Sequence, residues 1–213
     1  MITADAADKQ ADVVYTFDGK KDDVVAVELT TIAAKDKSLF INLRVTDKGG
    51  SDVGYGNSAL FGAMADGSYT ITLSNFTGEG KFTLKLIKAQ PLTLGTPVKV
   101  TISLDKDMVP TSMYYYFNST AAFTVKLDTE PQSAKSNNTL QWGLVIREHF
   151  AGFNDYSDVF NYVDSRNVIL STSVTIQGSD AVIALGVHPS GYSFGDMTQG
   201  ATQPFTLTVS AAK

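Results

Sequence analysis

Residues 191–195 read Gly191-Tyr192-Ser193-Phe194-Gly195. That is the G-x-S-x-G pattern of serine hydrolases, in which a sharp strand-to-helix turn presents the serine hydroxyl to substrate. His188 stands five residues before Ser193, so a Ser–His pair is conceivable on residue type alone. Two features argue against acyl transfer. The elbow needs a helix after the serine, and Gly195-Asp196-Met197-Thr198-Gln199-Gly200 is loop-forming. The base of such a hydrolase follows the serine in the chain, and no histidine lies beyond His188. The segment reads instead as an enlarged glycine-rich loop between two strands, and no catalytic residue is assigned. His149 is the one other histidine and there is no cysteine, so a zinc site of the usual nitrogen and sulfur type lacks ligands.

The second chemistry on offer is oxygen ligation. Asn154, Asp155, Asp158, Asn161 and Asp164 crowd the segment GFNDYSDVFNYVDS, and Asp47 and Asp52 flank Gly49-Gly50. Carboxylates and amides at this density suit calcium. Asp155, Asp158, Asp164, Asp47 and Asp52 are therefore the candidate calcium ligands, although neither segment has the spacing of an EF-hand loop. No pair of carboxylates is singled out for glycoside hydrolysis. Aromatic residues are a third resource. In Met113-Tyr114-Tyr115-Tyr116-Phe117, strand alternation would bury one set and expose the other, and exposed tyrosines can stack on sugars or meet a protein partner. Trp142 is expected in a core.

The elements that must position these residues are strands. Leu39, Ile41, Leu43 and Val45 alternate with Phe40, Asn42 and Arg44, and the same period of two recurs in Val24–Thr30, Tyr69–Leu73, Phe82–Leu86, Val98–Ile102, Phe123–Leu127 and Phe205–Val209. Turn signals separate them at Asp18-Gly19, Gly49-Gly50, Asp66-Gly67 and Gly78-Glu79-Gly80. One helix is expected, over Asp155–Ser165, where Val159, Tyr162 and Val163 share helical spacing. The chain also repeats itself. Residues 15–31 match 114–129, 65–75 match 178–187, and 78–89 match 201–212. Pro91 and Pro97 mark an extended linker between the halves. The expected architecture is all-β, two tandem jelly-roll-like or Ig-like sandwich domains over residues 1–92 and 93–213, the second with longer loop insertions.

The run Leu43-Arg44-Val45-Thr46-Asp47-Lys48-Gly49-Gly50, then Asp66-Gly67-Ser68-Tyr69-Thr70-Ile71-Thr72-Leu73, then Gly80-Lys81-Phe82-Thr83-Leu84-Lys85-Leu86 resembles the bacterial pre-peptidase C-terminal domain over residues 12–88. The second half matches at its ends and lacks the G-x-Y signature at 178–187. The resemblance implies a jelly-roll-like sandwich that flanks secreted enzymes and surface proteins without being catalytic, some members of the family binding calcium or polymeric substrates.

Composition narrows the function classes. Of 213 residues, 43% are hydrophobic and 18% charged, against a usual charged share of about 25%. The net charge of −5 and the absence of a basic block argue against nucleic acid, and no apolar run is long enough to cross a membrane as a helix. The start MITADAADKQA has no apolar signal-peptide core, so the chain is either cytosolic or a mature chain carrying a start methionine; the resemblance favours the second, working outside the cell or at its surface. The expected function is a non-catalytic module for binding, adhesion or spacing of other domains, with a protein or polysaccharide partner. The alternative is a self-assembling subunit of a surface layer or filament, whose partner is a copy of itself.

Overall fold

The structure, a computed structural model, describes residues 1–35, 37–63, 65–103, 113–129, 141–148, 159–164, 171–176, 179–189 and 202–212. Every regular element among them is a β-strand. The chain divides into two units, Met1–Ala89 and Gln90–Lys213.

The first unit contains β1 (Ile2–Ala6), β2 (Val13–Gly19), β3 (Val24–Ala33), β4 (Leu39–Thr46), β5 (Asp52–Tyr55), β6 (Ser58–Gly62), β7 (Gly67–Gly78) and β8 (Gly80–Lys88). Two antiparallel sheets result, in the orders β1-β8-β3-β6 and β2-β7-β4-β5. This exchange of strands between two sheets is the jelly roll. Alternation supplies the inner faces. Along β4, Ile41, Leu43 and Val45 are buried while Phe40, Asn42 and Arg44 are exposed. They meet Ile71 and Leu73 of β7 and, from the other sheet, Val25, Val27 and Leu29 of β3 and Phe82 and Leu84 of β8 in one core. Two sheets that each hide one apolar face have no other way to keep it from water.

An exposed ion pair marks one end of this unit. Lys88 Nζ donates to the Asp23 carboxylate, and the Lys20 backbone N–H donates to its other oxygen. The Lys88 bond, helped by Lys20, holds the Asp23 carboxyl below its usual range. A carboxyl whose folded pKa is depressed stabilises the fold above its unfolded value, about 3.9, and loses that contribution as pH falls through the lower folded value. Lys88 is 67% exposed, so the gain is small. Lys88→Gln is expected to leave neutral stability nearly unchanged and to flatten the fall in stability below about pH 4, read from urea midpoints across pH. An unchanged acid limb would contradict this.

The second unit repeats the plan. It holds β9 (Gln90–Pro91), β10 (Val98–Ser103), β11 (Met113–Ser119), β12 (Phe123–Thr129), β13 (Gln141–Glu148), β14 (Val159–Asp164), β15 (Ser171–Ile176), β16 (Ser179–Pro189) and β17 (Thr202–Ala211). The sheets run β10-β17-β12-β15 and β14-β13-β16-β11-β9. With β9 set aside, each strand occupies the place of its counterpart in the first unit. The matched segments of the sequence are these counterparts: β2–β3 with β11–β12, β7 with β16, β8 with β17. Val125, Leu127, Phe205, Leu207 and Val209 form the described core.

Three expectations change. Val159–Asp164 is a strand paired with β13, not a helix. Its helical spacing is overridden by antiparallel pairing with the strand that precedes it. The proline-marked stretch is not a free linker: Gln90–Pro91 pairs with β11, Leu92 lies in the second core, and the Gly95 N–H donates to Val209. The division therefore falls after Ala89 rather than after Leu92. In the tyrosine run, Tyr114 and Tyr115 are both buried and Tyr116 and Phe117 are partly so, and no row of fully exposed tyrosines results.

Candidate functional site

The predicted site residues fall into three groups. Ser193, His149, Asp155 and Asp158 lie outside the described residues. The backbones of Asp164 and His188 are placed on β14 and β16, opposite Gln141 and Gly143 of β13. Asp47 and Asp52 are placed in full, at the β4–β5 hairpin. There Asp47 Oδ1 accepts the N–H of Gly49 at 2.8 Å and of Ser51 at 2.9 Å, while the Gly50 N–H closes the turn onto the Asp47 carbonyl. This is the self-capping turn that aspartate makes with its own backbone. Asp52 accepts from Arg44 Nε. Both carboxylates thus have partners within the protein, and a cation at Asp52 would face the Arg44 guanidinium. Among the described residues no group of three or more His, Asp or Glu side chains stands ready to hold a metal ion.

The hairpin contributes instead to a surface. Register across β2-β7-β4-β5 aligns Val14, Thr72, Arg44 and Tyr55 in one row and Thr16, Thr70, Thr46 and Asp52 in the next. Asn42 and Ser74 continue the pattern. Strands lie about 4.8 Å apart, so a row of four residues spans roughly 14 Å. These side chains alternate with the core residues and therefore share the outer face. Three large hydrophobic residues stand on it, Tyr55 at 64%, Phe40 at 58% and Val14 at 57% exposure. Around them are hydroxyls and one amide. Arg44 and Asp52 neutralise each other on the face, and the Asp52 carboxylate raises the Arg44 guanidinium still further above its ordinary value.

A shallow groove of about 480 Å³ crosses the other sheet at Asp5, Lys81 and Ile32, with Glu79 and Gly80 beside them. It brings together no nucleophile and base, and its charges point to no single ligand.

Sequence reasoning found Asp47 and Asp52 and missed Tyr55. The signal was thin, a lone tyrosine between Gly54 and Gly56. Its placement beside Arg44 follows from strand register, which one sequence does not display.

No family model matches the chain, and no curated protein matches it. Among solved structures, the chain is similar to the CUB1-EGF-CUB2 domain of human MASP-1/3, with 9% identity over 96% of this chain and 95% of that one, at a TM-score of 0.22.

Proposed function

We propose that this protein is a non-catalytic binding module that works outside the cell or at its surface, holding a polymer or a protein on the outer face of β2-β7-β4-β5. The observation that carries the reading is the exposure of Tyr55, Phe40 and Val14 on one sheet face among threonines, Asn42 and a self-neutralised Arg44–Asp52 pair. An aromatic ring offers stacking area, and hydroxyl and amide groups offer hydrogen bonds, the combination that recognises hydroxylated polymers and protein surfaces alike. The non-catalytic part rests on the sequence, which has two histidines, no cysteine and no assembled acid–base set. The extracellular setting rests on the resemblance to pre-peptidase C-terminal domains.

The test is depletion of the full chain from solution by insoluble cellulose, chitin and fibrous collagen, compared with Tyr55→Ala. One of these matrices is expected to retain the protein, and Tyr55→Ala to weaken retention about tenfold, the equivalent of 1.4 kcal/mol. Equal retention of the variant would contradict the assigned face. Sedimentation of the chain by itself as large ordered particles would replace this reading with that of a structural subunit.

A further inference from the structure

The two units differ at one sheet edge. In the second unit β9 lies parallel to β11, Gln90 opposite Tyr115 and Pro91 opposite Tyr116. The Leu92 N–H donates to the Tyr116 carbonyl at 2.9 Å, Leu92 enters the core, and Tyr115 is 2% exposed. In the first unit β2 holds the place of β11. Val13, Tyr15 and Phe17 pack against its core as Met113, Tyr115 and Phe117 do against theirs. Yet among the described residues β2 is the end strand of its sheet. Thr16 and Asp18 are exposed, and Tyr15 and Phe17 are only half-buried.

We propose that the open edge of β2 is a docking site for an extended segment of another polypeptide, of the form polar residue, proline, aliphatic residue, which adds a short parallel strand as Gln90-Pro91-Leu92 does beside β11. An end strand presents unpaired N–H and C=O groups, and strand addition uses them for affinity while a side-chain pocket gives selectivity. The chemistry of the occupant is read from the filled edge. Proline has no N–H, so the donor comes from the residue after it, as it does from Leu92. Thr16 stands where Tyr116 stands, which makes its carbonyl the acceptor. In the register of β9 the aliphatic residue comes level with Phe17, as Leu92 comes level with Phe117, and its side chain covers the half-buried Phe17 ring on the core side. A second copy is a poor donor of this segment, because its own Gln90–Leu92 is engaged within its second unit.

The probe is a fluorescent peptide Ala-Gln-Pro-Leu-Thr-Leu-Gly-Thr, the sequence of residues 89–96, titrated with the full chain and followed by anisotropy. A photoreactive leucine at its first leucine locates the contact by mass spectrometry. Saturable binding is expected, with crosslinks on Val13–Gly19, and N-methylation of that leucine should weaken binding about tenfold or more by deleting the donor. Failure to saturate at millimolar protein, crosslinks elsewhere (Tyr115–Tyr116 included), or equal affinity of the N-methylated peptide would overturn the proposal. The readout is independent of the outer face, since Tyr55→Ala leaves this edge intact.

Discussion

Replacing Phe82 with alanine is expected to remove about 3–5 kcal/mol from the stability of the first unit. Phe82 is 1% exposed, lies on β8 between Ala4 of β1 and Thr31 of β3, and meets the Phe76 ring edge-on at 6.1 Å. Truncation deletes the buried ring and leaves a cavity that strands paired on both sides cannot close. A domain is stable by about 5–15 kcal/mol in total, so the variant should sit near its unfolding threshold. Phe205 is the counterpart in the second unit, 2% exposed on β17 between Val100 of β10 and Thr129 of β12. Phe205→Ala should cost that unit a similar amount. Urea unfolding of the two variants checks both. A loss below about 1 kcal/mol in either would mean that the position is not the core site that the duplicated topology makes it.

Gly78→Ala is expected to be as severe for a different reason. Gly78 ends β7 with φ +89°, and its N–H donates to Asp8 Oδ1 at 2.9 Å. A Cβ there would lie 1.8 Å from the Ser38 carbonyl oxygen and 2.7 Å from its carbon. Those are backbone atoms held by the β4–β7 pairing, so no side-chain rotation relieves the clash. The left-handed conformation alone costs roughly 1–2 kcal/mol for an L-residue, and the collision raises the total to at least about 3 kcal/mol. Gly50→Ala is the matched comparison. It has φ +83° with nothing within 4 Å of the added Cβ, so only the conformational cost of about 1 kcal/mol applies. Thermal midpoints of the two variants should separate accordingly, and equal losses would show that contact with Ser38 is not the cause.

Much of the fold was legible because period-two alternation reports burial in strands with one wet face, although not in β3, where residues 24–29 are buried on both faces. Leu39–Val45 reads as a half-buried strand, and β4 buries the residues that the pattern selects. The repeat was legible for the same reason, since aromatic strand, turn and alternating strand are local features. Elements that are short, or whose form is set by their pairing, were not. β5 has four residues, too few for a periodic signal. The Val159–Asp164 segment carries both spacings, and pairing with β13 decides between them. The proline-rich stretch looked like a linker, because composition alone does not show that Pro91 lacks a donor only where β11 asks for none. At the site, the aspartate turn at Asp47 is local and was found as a polar cluster. Its role as a cap was not visible until Gly49 and Ser51 were placed around it. The rows that join Val14, Thr72, Arg44 and Tyr55 are set by the registers of three strand pairs, which the sequence does not print.

The most direct measurement of the central claim is residue-resolved amide chemical-shift mapping of the full chain while soluble fragments of the retained polymer are added. The account predicts perturbations centred on Tyr55, Arg44, Thr72 and Val14, saturating together, with the fragments recovered intact. Perturbations centred on residues 188–195, with cleavage of the fragments, would contradict it and return the Ser193 segment to the centre of the chemistry.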